Sequence, residues 1–236
     1  ILPAAAVSGG IFWQLLRSPP NVRETPPPLP VADPPHMIAW SDVSESAPIT
    51  IELGYTLVDL VDERKGAPLM ARITGIRRQL SRQLGFVLPL VKVKDDLALP
   101  GNTYRISIAG VIMGEDEAWP LDLLALDSGD CLQGIKGRPV KDPSFGLDAL
   151  WITQDKRADA VAAGYTVVDA PTVLATHLNN IIAGSAAELF GLDEAQALVA
   201  ALKEAFPQLA QGLSPQPYSL AAITALCRAM LAERVP

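Results

Sequence analysis

Cysteine and histidine are scarce in this chain, with two of each among 236 residues. Cys131 and Cys227 lie far apart and neither belongs to a CxxC pair, so the motif for thiol–disulfide exchange is missing. They read as buried or half-buried free thiols. His36 falls in a proline-rich stretch, and His177 in a helical one as a packed or solvent-facing residue. Neither has metal-ligating neighbours at short range. Basic charge is also in short supply. Nineteen Lys and Arg against 26 Asp and Glu give a net charge of −7. That balance excludes a general nucleic-acid binder, which needs clustered cations to displace counterions.

The usual signatures of catalysis are missing too. No GxSxG elbow, P-loop or GxGxxG fingerprint occurs. Gly134-Ile135-Lys136-Gly137 lacks the GK[ST] ending of a phosphate loop and a helix after it. The acidic run Glu115-Asp116-Glu117 reads as a solvated turn, because a metal site needs ligands converging from several directions. No catalytic residue, metal site or cofactor is expected.

Long hydrophobic runs are limited to the beginning. Ile1 to Leu16 carries no charge until Arg17, yet falls short of the roughly 20 apolar residues of a full span. No basic region precedes it and no small-residue cleavage site follows, so it is not a secretory signal. It reads as the last piece of a transmembrane helix (residues 1–17), with Trp13 and Arg17 as interfacial anchors. A buried hydrophobic helix is the alternative, since Gly9-Gly10 and Gln14 weaken the membrane pattern. Ser18 to Pro35 holds eight prolines in 18 residues, an extended, semi-rigid spacer, and the linker is taken to run over 18–46.

What remains is globular in composition, 49% hydrophobic and 19% charged over the whole chain. Ile49 to Leu53 alternates as a half-buried strand does, and Thr56 to Val61 reads as a second extended piece. Leu69, Ile73, Ile76, Leu80 and Leu84 form one stripe and predict a helix over Pro68–Leu84, ended by Gly85. Arg72, Arg77, Arg78 and Arg82 lie largely off that stripe. Arg77 and Arg78 read as a solvated face or a subunit contact. Phe86–Val93 and Thr103–Ile112 read as strands, as do the short runs Leu121–Leu126 and Leu147–Ile152, with turn-rich Asp127–Pro143 between them. A short helix over Asp155–Ala163 and a strand over Tyr165–Val168 follow. Asp169 is placed to cap a long helix with Pro171 in its first turn. Helices over Leu192–Phe206 and Ser219–Ala232 flank a proline-rich break at Pro207–Pro217. The predicted class is α+β followed by all-α, without internal repeats.

Several segments resemble the FlhA family of flagellar export-gate proteins. They are Leu53-Gly54-Tyr55, Ile76-Arg77-Arg78-Gln79-Leu80, Thr103-Tyr104-Arg105-Ile106, Asp142 to Ala149 (DPSFGLDA), and the stretch from Gly164 through Thr172 to Leu178 (GYTVVDAPTVLATHL). The match runs from Trp40 to Pro236. One departure is Leu192-Asp193-Glu194, where the family usually has Arg-Gln-Glu, so contacts of that arginine are not carried over. The resemblance implies a thioredoxin-like subdomain (47–120 plus 170–189), a ferredoxin-like insert (121–169) and an incomplete helical subdomain (190–236). A fourth subdomain and the large membrane domain of the family would be missing.

The same resemblance implies a function. Family members form a nine-membered homo-oligomeric ring under a gate in the bacterial inner membrane, with this region on the cytoplasmic side. The ring docks flagellar export chaperones carrying late substrates, and it works with other export-gate membrane proteins and the export ATPase complex. Carried over by motif, Asp142, Phe145 and Thr176 would line the docking dimple, and Trp40 and Asp42 would reach the neighbouring subunit. Arg77 and Arg78 are further candidates for subunit contact. The homologous gate of a virulence injectisome is the alternative within the family. A membrane-tethered thioredoxin-like oxidoreductase is the alternative from a different class.

Overall fold

The computed structural model describes residues 47–127, 129, 134–213 and 217–235, all within one compact unit, Val43–Pro236. The expected membrane segment and linker, and with them His36, Trp40 and Asp42, lie outside the described residues, as does Cys131. No helix among the described residues is long and apolar enough to cross a membrane.

The first sheet contains β1 (Ile49–Leu53), β2 (Val91–Asp95), β3 (Thr103–Ile108) and β4 (Val111–Glu117). Its strand order is β2-β1-β3-β4, with β1 and β2 parallel and the other pairs antiparallel. This is the thioredoxin-like arrangement, and α1 (Pro68–Leu84) supplies the crossover a parallel pair requires. Alternation along β1 divides the sheet into two chemistries. Ile49, Ile51 and Leu53 face the core, which they share with Leu69, Ile73 and Leu80 of α1. Glu52 points to the other face and bonds Lys94 at 2.9 Å and Arg105 at 3.3 Å, while Arg105 reaches Glu115 at 2.8 Å. Register puts these four charges in one cross-strand row.

The second sheet contains β5 (Leu123–Leu126), β6 (Arg138–Lys141), β7 (Asp148–Ile152) and β8 (Thr166–Asp169), in the order β6-β7-β5-β8 with every pair antiparallel. That is the ferredoxin-like strand order. Its second crossover carries α2 (Arg157–Ala162). Both faces of β5 are covered, so the strand is continuously apolar. Leu124 joins the main core, while Leu123 and Ala125 join a second cluster with Ile152, Ala160 and Tyr165.

α3 (Ala170–Gly184) returns the chain to the first sheet and packs along α1. Asp169 caps it as expected: Oδ1 accepts from Thr172 N at 3.0 Å and also from the Thr172 hydroxyl. Oδ2 of Asp169 accepts from Arg72 at 2.8 Å, so Arg72 ties α1 to the start of α3. The remaining helices are α4 (Ala186–Leu189), α5 (Leu192–Ala205), α6 (Pro207–Leu213) and α7 (Leu220–Ala232).

Several local expectations are corrected. Thr56–Val61 is not extended: Tyr55–Leu60 forms a 3-10 helix that buries Leu57 and Leu60, three residues apart as a three-residue period requires. Thr103–Ile112 is a hairpin rather than one strand, turning at Ala109 (φ 48°) and Gly110 (φ 81°). Both central residues have positive φ, the tight turn that suits strand twist. Glu115-Asp116-Glu117 is not a turn but the end of β4. Of the expected strand Phe86–Val93, only the end from Val91 onward pairs. Ahead of it, helix side chains replace the ladder: Arg77 donates to the carbonyls of Leu88 and Pro89, both at 2.8 Å, and Ser81 Oγ accepts from Leu88 N. The stretch Asp127–Pro143 contains β6, whose Pro139 is tolerated because β6 is an edge strand. The break Pro207–Pro217 contains α6, with Pro207 in its first turn.

Candidate docking site

The segment Asp142-Pro143-Ser144-Phe145-Gly146 joins β6 to β7, and each residue contributes to one tight loop. Asp142 N donates to Leu147 O at 2.9 Å, and Gly146 N to Asp142 O at 2.8 Å. Oδ2 of Asp142 accepts from Ser144 N at 3.1 Å and Phe145 N at 2.7 Å. Pro143 fixes its own φ, and Gly146 adopts φ 69°, where an L side chain is strained. From α3, Asn180 Nδ2 donates to Ser144 O at 2.9 Å, which fastens the loop to the helix.

This loop presents Phe145 outward. The residue is 64% exposed, and Leu147 beside it is exposed as well. A large aromatic held in water by a fixed loop offers an anchor for a partner. Thr176 lies one helical turn before Asn180, on the same side of α3, half-buried, with its hydroxyl bonded to Thr172 O at 2.8 Å. Asp142, by contrast, is only 5% exposed. A surface charge was expected there, but the carboxylate faces inward and holds the loop.

Asp142 also acts by its charge on a polar cluster drawn from other segments, buried at Tyr104 and His177 and half-buried at Asp116. Tyr104 on β3 is fully buried, and its hydroxyl hydrogen-bonds His177 Nδ1 on α3 at 2.8 Å. The two rings meet edge to face, 5.7 Å between centroids. Asp116 on β4 lies close enough to influence both. Gly114, two residues earlier on β4, makes room for the imidazole: a Cβ there would lie 2.8 Å from both Cε1 and Nε2. Burial pushes the Tyr104 phenol far above its usual range, reinforced by the Asp116 and Asp142 charges, so it is neutral. Burial pulls His177 below its ordinary value, against the opposing pull of Asp116 and Asp142. Burial likewise raises Asp116, which a bond from Glu117 N and the nearby His177 partly offset. His177 is thus a packed residue, as one of the two expectations had it, and its partner Tyr104 was not foreseen.

The other candidates separate. Arg77 is half-buried and committed to the two loop carbonyls, so the solvated face expected of it is corrected. Arg78 is exposed and lines an open hollow together with Arg77, Arg82, Phe86 and Val87. Cys227 is a half-buried free thiol whose burial raises its pKa, opposite to what a reactive thiolate needs. Among the described residues, no group of three or more His, Cys, Asp or Glu could hold a metal ion.

The chain thus combines a thioredoxin-like body with a ferredoxin-like insert, and an aromatic is held outward on the insert's loop. The chain belongs to the FHIPEP family, matched over residues 4–236. It is 35% identical over 235 residues to the flagellar biosynthesis protein FlhA of Proteus mirabilis, covering 98% of this chain and 34% of that protein. It is 38% identical over 191 residues to FlhA of Bacillus subtilis, covering 80% and 28%. The chain therefore spans about a third of the length of these relatives. Among solved structures it resembles Chlamydia pneumoniae CdsV, with TM-score 0.69 and 21% identity, covering 86% of this chain and 58% of that one. It also resembles the nonameric EPEC SctV-C, with TM-score 0.57 and 16% identity, covering 81% and 55%. Both likenesses are of fold.

Proposed function

We propose that this chain is part of an export gate of the flagellar type III secretion apparatus, where it acts as a docking platform without covalent chemistry of its own. The observation that carries this reading is the identity to FlhA across 98% of the chain. Under it, the region lies on the cytoplasmic side of the bacterial inner membrane, and copies assemble into a ring. The nonameric assembly of a protein with the same fold supports that arrangement. Phe145, together with Thr176 on α3, receives export chaperones carrying late cargo. Asp142 serves the same face by holding its loop, and Arg77 and Arg78, which line one open hollow, remain candidates for contact with a neighbouring subunit. Trp40 and Asp42 retain their proposed reach toward that neighbour. The export ATPase complex and the other gate proteins belong to the same proposal.

Titration of the protein with a flagellar chaperone–cargo complex tests this reading. We expect saturable binding that is lost in Phe145→Ala. Equal binding by both proteins would remove the docking role from this face.

A further inference from the structure

The Phe145 loop is fastened to α3 by the Asn180–Ser144 bond, and the same helix carries His177, which hydrogen-bonds Tyr104. Asp142 is the shared member: its carboxylate holds the Ser144 and Phe145 amides on one side, and on the other its charge acts on Tyr104 and His177. His177 and Asn180 sit three residues apart on α3, so they occupy neighbouring positions on one helix face. One of them belongs to the cluster and the other bonds the loop. The titratable groups facing His177 are Tyr104 from β3, Asp116 from β4 and Asp142 from the β6–β7 loop.

We propose that Tyr104, His177 and Asn180 are positioning residues for the Phe145 loop, and that proton uptake by His177 loosens it, so that Phe145 is presented firmly at neutral pH and less so on mild acidification. The consequence for docking rests on the reading of Phe145 given above; the coupling within the chain does not.

The physical steps are local. While the imidazole is neutral, either partner of the Tyr104–His177 bond can donate. The Asp142 carboxylate is then occupied by the two loop amides. Protonation places a full positive charge in a buried space facing two carboxylates, Asp116 and Asp142. At low effective dielectric such a charge acts strongly over several ångströms. It draws the Asp142 carboxylate inward, in competition with the neutral amides of Ser144 and Phe145. The ring cannot move aside toward β4, because it already fills the space that Gly114 leaves open. Asn180 remains on Ser144 O, so the loop shifts at Phe145 rather than detaching.

The direction follows from burial. His177 holds its proton less well than a free imidazole, whose pKa is about 6.5. Between that value and its lower folded value, the unfolded chain binds more protons than the folded one. The His177 contribution to stability is therefore complete above pH ~6.5 and is lost as pH falls. Asp116 acts in the opposite sense, because its raised value removes an ionised-form cost on acidification.

The test is a pH titration of the full chain by NMR from pH 7.5 to 5, following the His177 ring and the Ser144 and Phe145 amides. We expect the ring and both amides to move with one shared midpoint below about 6.5. Tyr104→Phe removes only the hydroxyl that meets Nδ1. In that variant the Phe145 amide midpoint should shift by the same amount as the His177 midpoint. His177→Gln should abolish the amide transition. If the amides stay fixed while the ring titrates, or keep their midpoint in Tyr104→Phe, the proposal is overturned. Docking of the chaperone–cargo complex measured over the same range should weaken several-fold through the shared midpoint. A shared NMR midpoint with docking flat in pH supports the positioning role and counts instead against the docking reading of Phe145.

Discussion

Replacing Phe145 by alanine separates a surface anchor from a core residue. Full burial of a large apolar side chain contributes about 1.5–3 kcal/mol. With 64% of Phe145 already in water, about a third of that is at stake, on the order of 0.5–1 kcal/mol. A core phenylalanine truncated in the same way costs about 3–5 kcal/mol. Urea denaturation resolves the two: at a slope of about 2 kcal/mol per molar, the midpoint falls by about 0.5 M for the anchor and about 2 M for a core residue. The loss should appear in binding. An interface anchor contributes more than about 2 kcal/mol, which raises Kd roughly 30-fold in a chaperone–cargo titration. Asp142→Ala should behave differently, losing stability together with affinity, because it removes the acceptor that holds Ser144 N and Phe145 N. A midpoint drop near 2 M for Phe145→Ala, or unchanged affinity, would refute the reasoning.

Two further substitutions test the framework behind the site. Gly54→Ala should lower Tm by about 5 °C or more, because a Cβ there meets Pro100 O at 2.1 Å and Gly101 O at 2.6 Å, backbone atoms that cannot swing aside. The same change at Gly75 in α1 meets nothing within 4 Å and should raise Tm slightly by helix propensity, so differential scanning calorimetry on the pair checks the steric cause. Asp169→Ala should lose about 1–2 kcal/mol of urea-measured stability through the cap of α3, whereas Asp169→Asn keeps a capping side chain and loses under about 1 kcal/mol with the half-exposed Arg72 pair.

Much of the framework was legible because local pattern and tertiary environment agree. Along α1 the stripe from Leu69 to Leu84 is the face that packs inward, and Gly85 takes the left-handed conformation that ends the helix. Asp169 caps α3 because a carboxylate three residues before Thr172 is all that cap needs. Legibility fails where a segment's partners are supplied from elsewhere. Phe86 to Pro89 has the apolar composition of a strand, yet Arg77 and Ser81 of α1 hold its backbone groups in place of a ladder. The Ala109-Gly110 hairpin carries no Asn or Asp, and its single local marker, Gly110, does not by itself separate a turn from a bulge in a continuous strand.

The site divides along the same line. Its loop could be read, since an Asp, a Pro and a Gly at these spacings encode an Asx-type turn with a left-handed close. Its interior could not. Tyr104 and His177 are 73 residues apart, and each looks ordinary in its own segment: an aromatic in a strand and an imidazole on a helix. The family resemblance implies Asp142 as a dimple-lining charge, and nothing local in the sequence marks it as buried. It is buried here because two backbone N–H groups satisfy its carboxylate, so the desolvation cost that normally keeps it outside is offset. Composition counts this chain's charges but does not say which of them face inward. Three of its ionisable side chains, Tyr104, Asp142 and His177, are buried and Asp116 is half-buried, while Phe145 on the Asp142 loop faces solvent. Under the docking proposal, the residues that would meet a partner and those that hold the loop are therefore different sets. Substitution at the buried set should change how strongly Phe145 is held without altering the surface a partner meets.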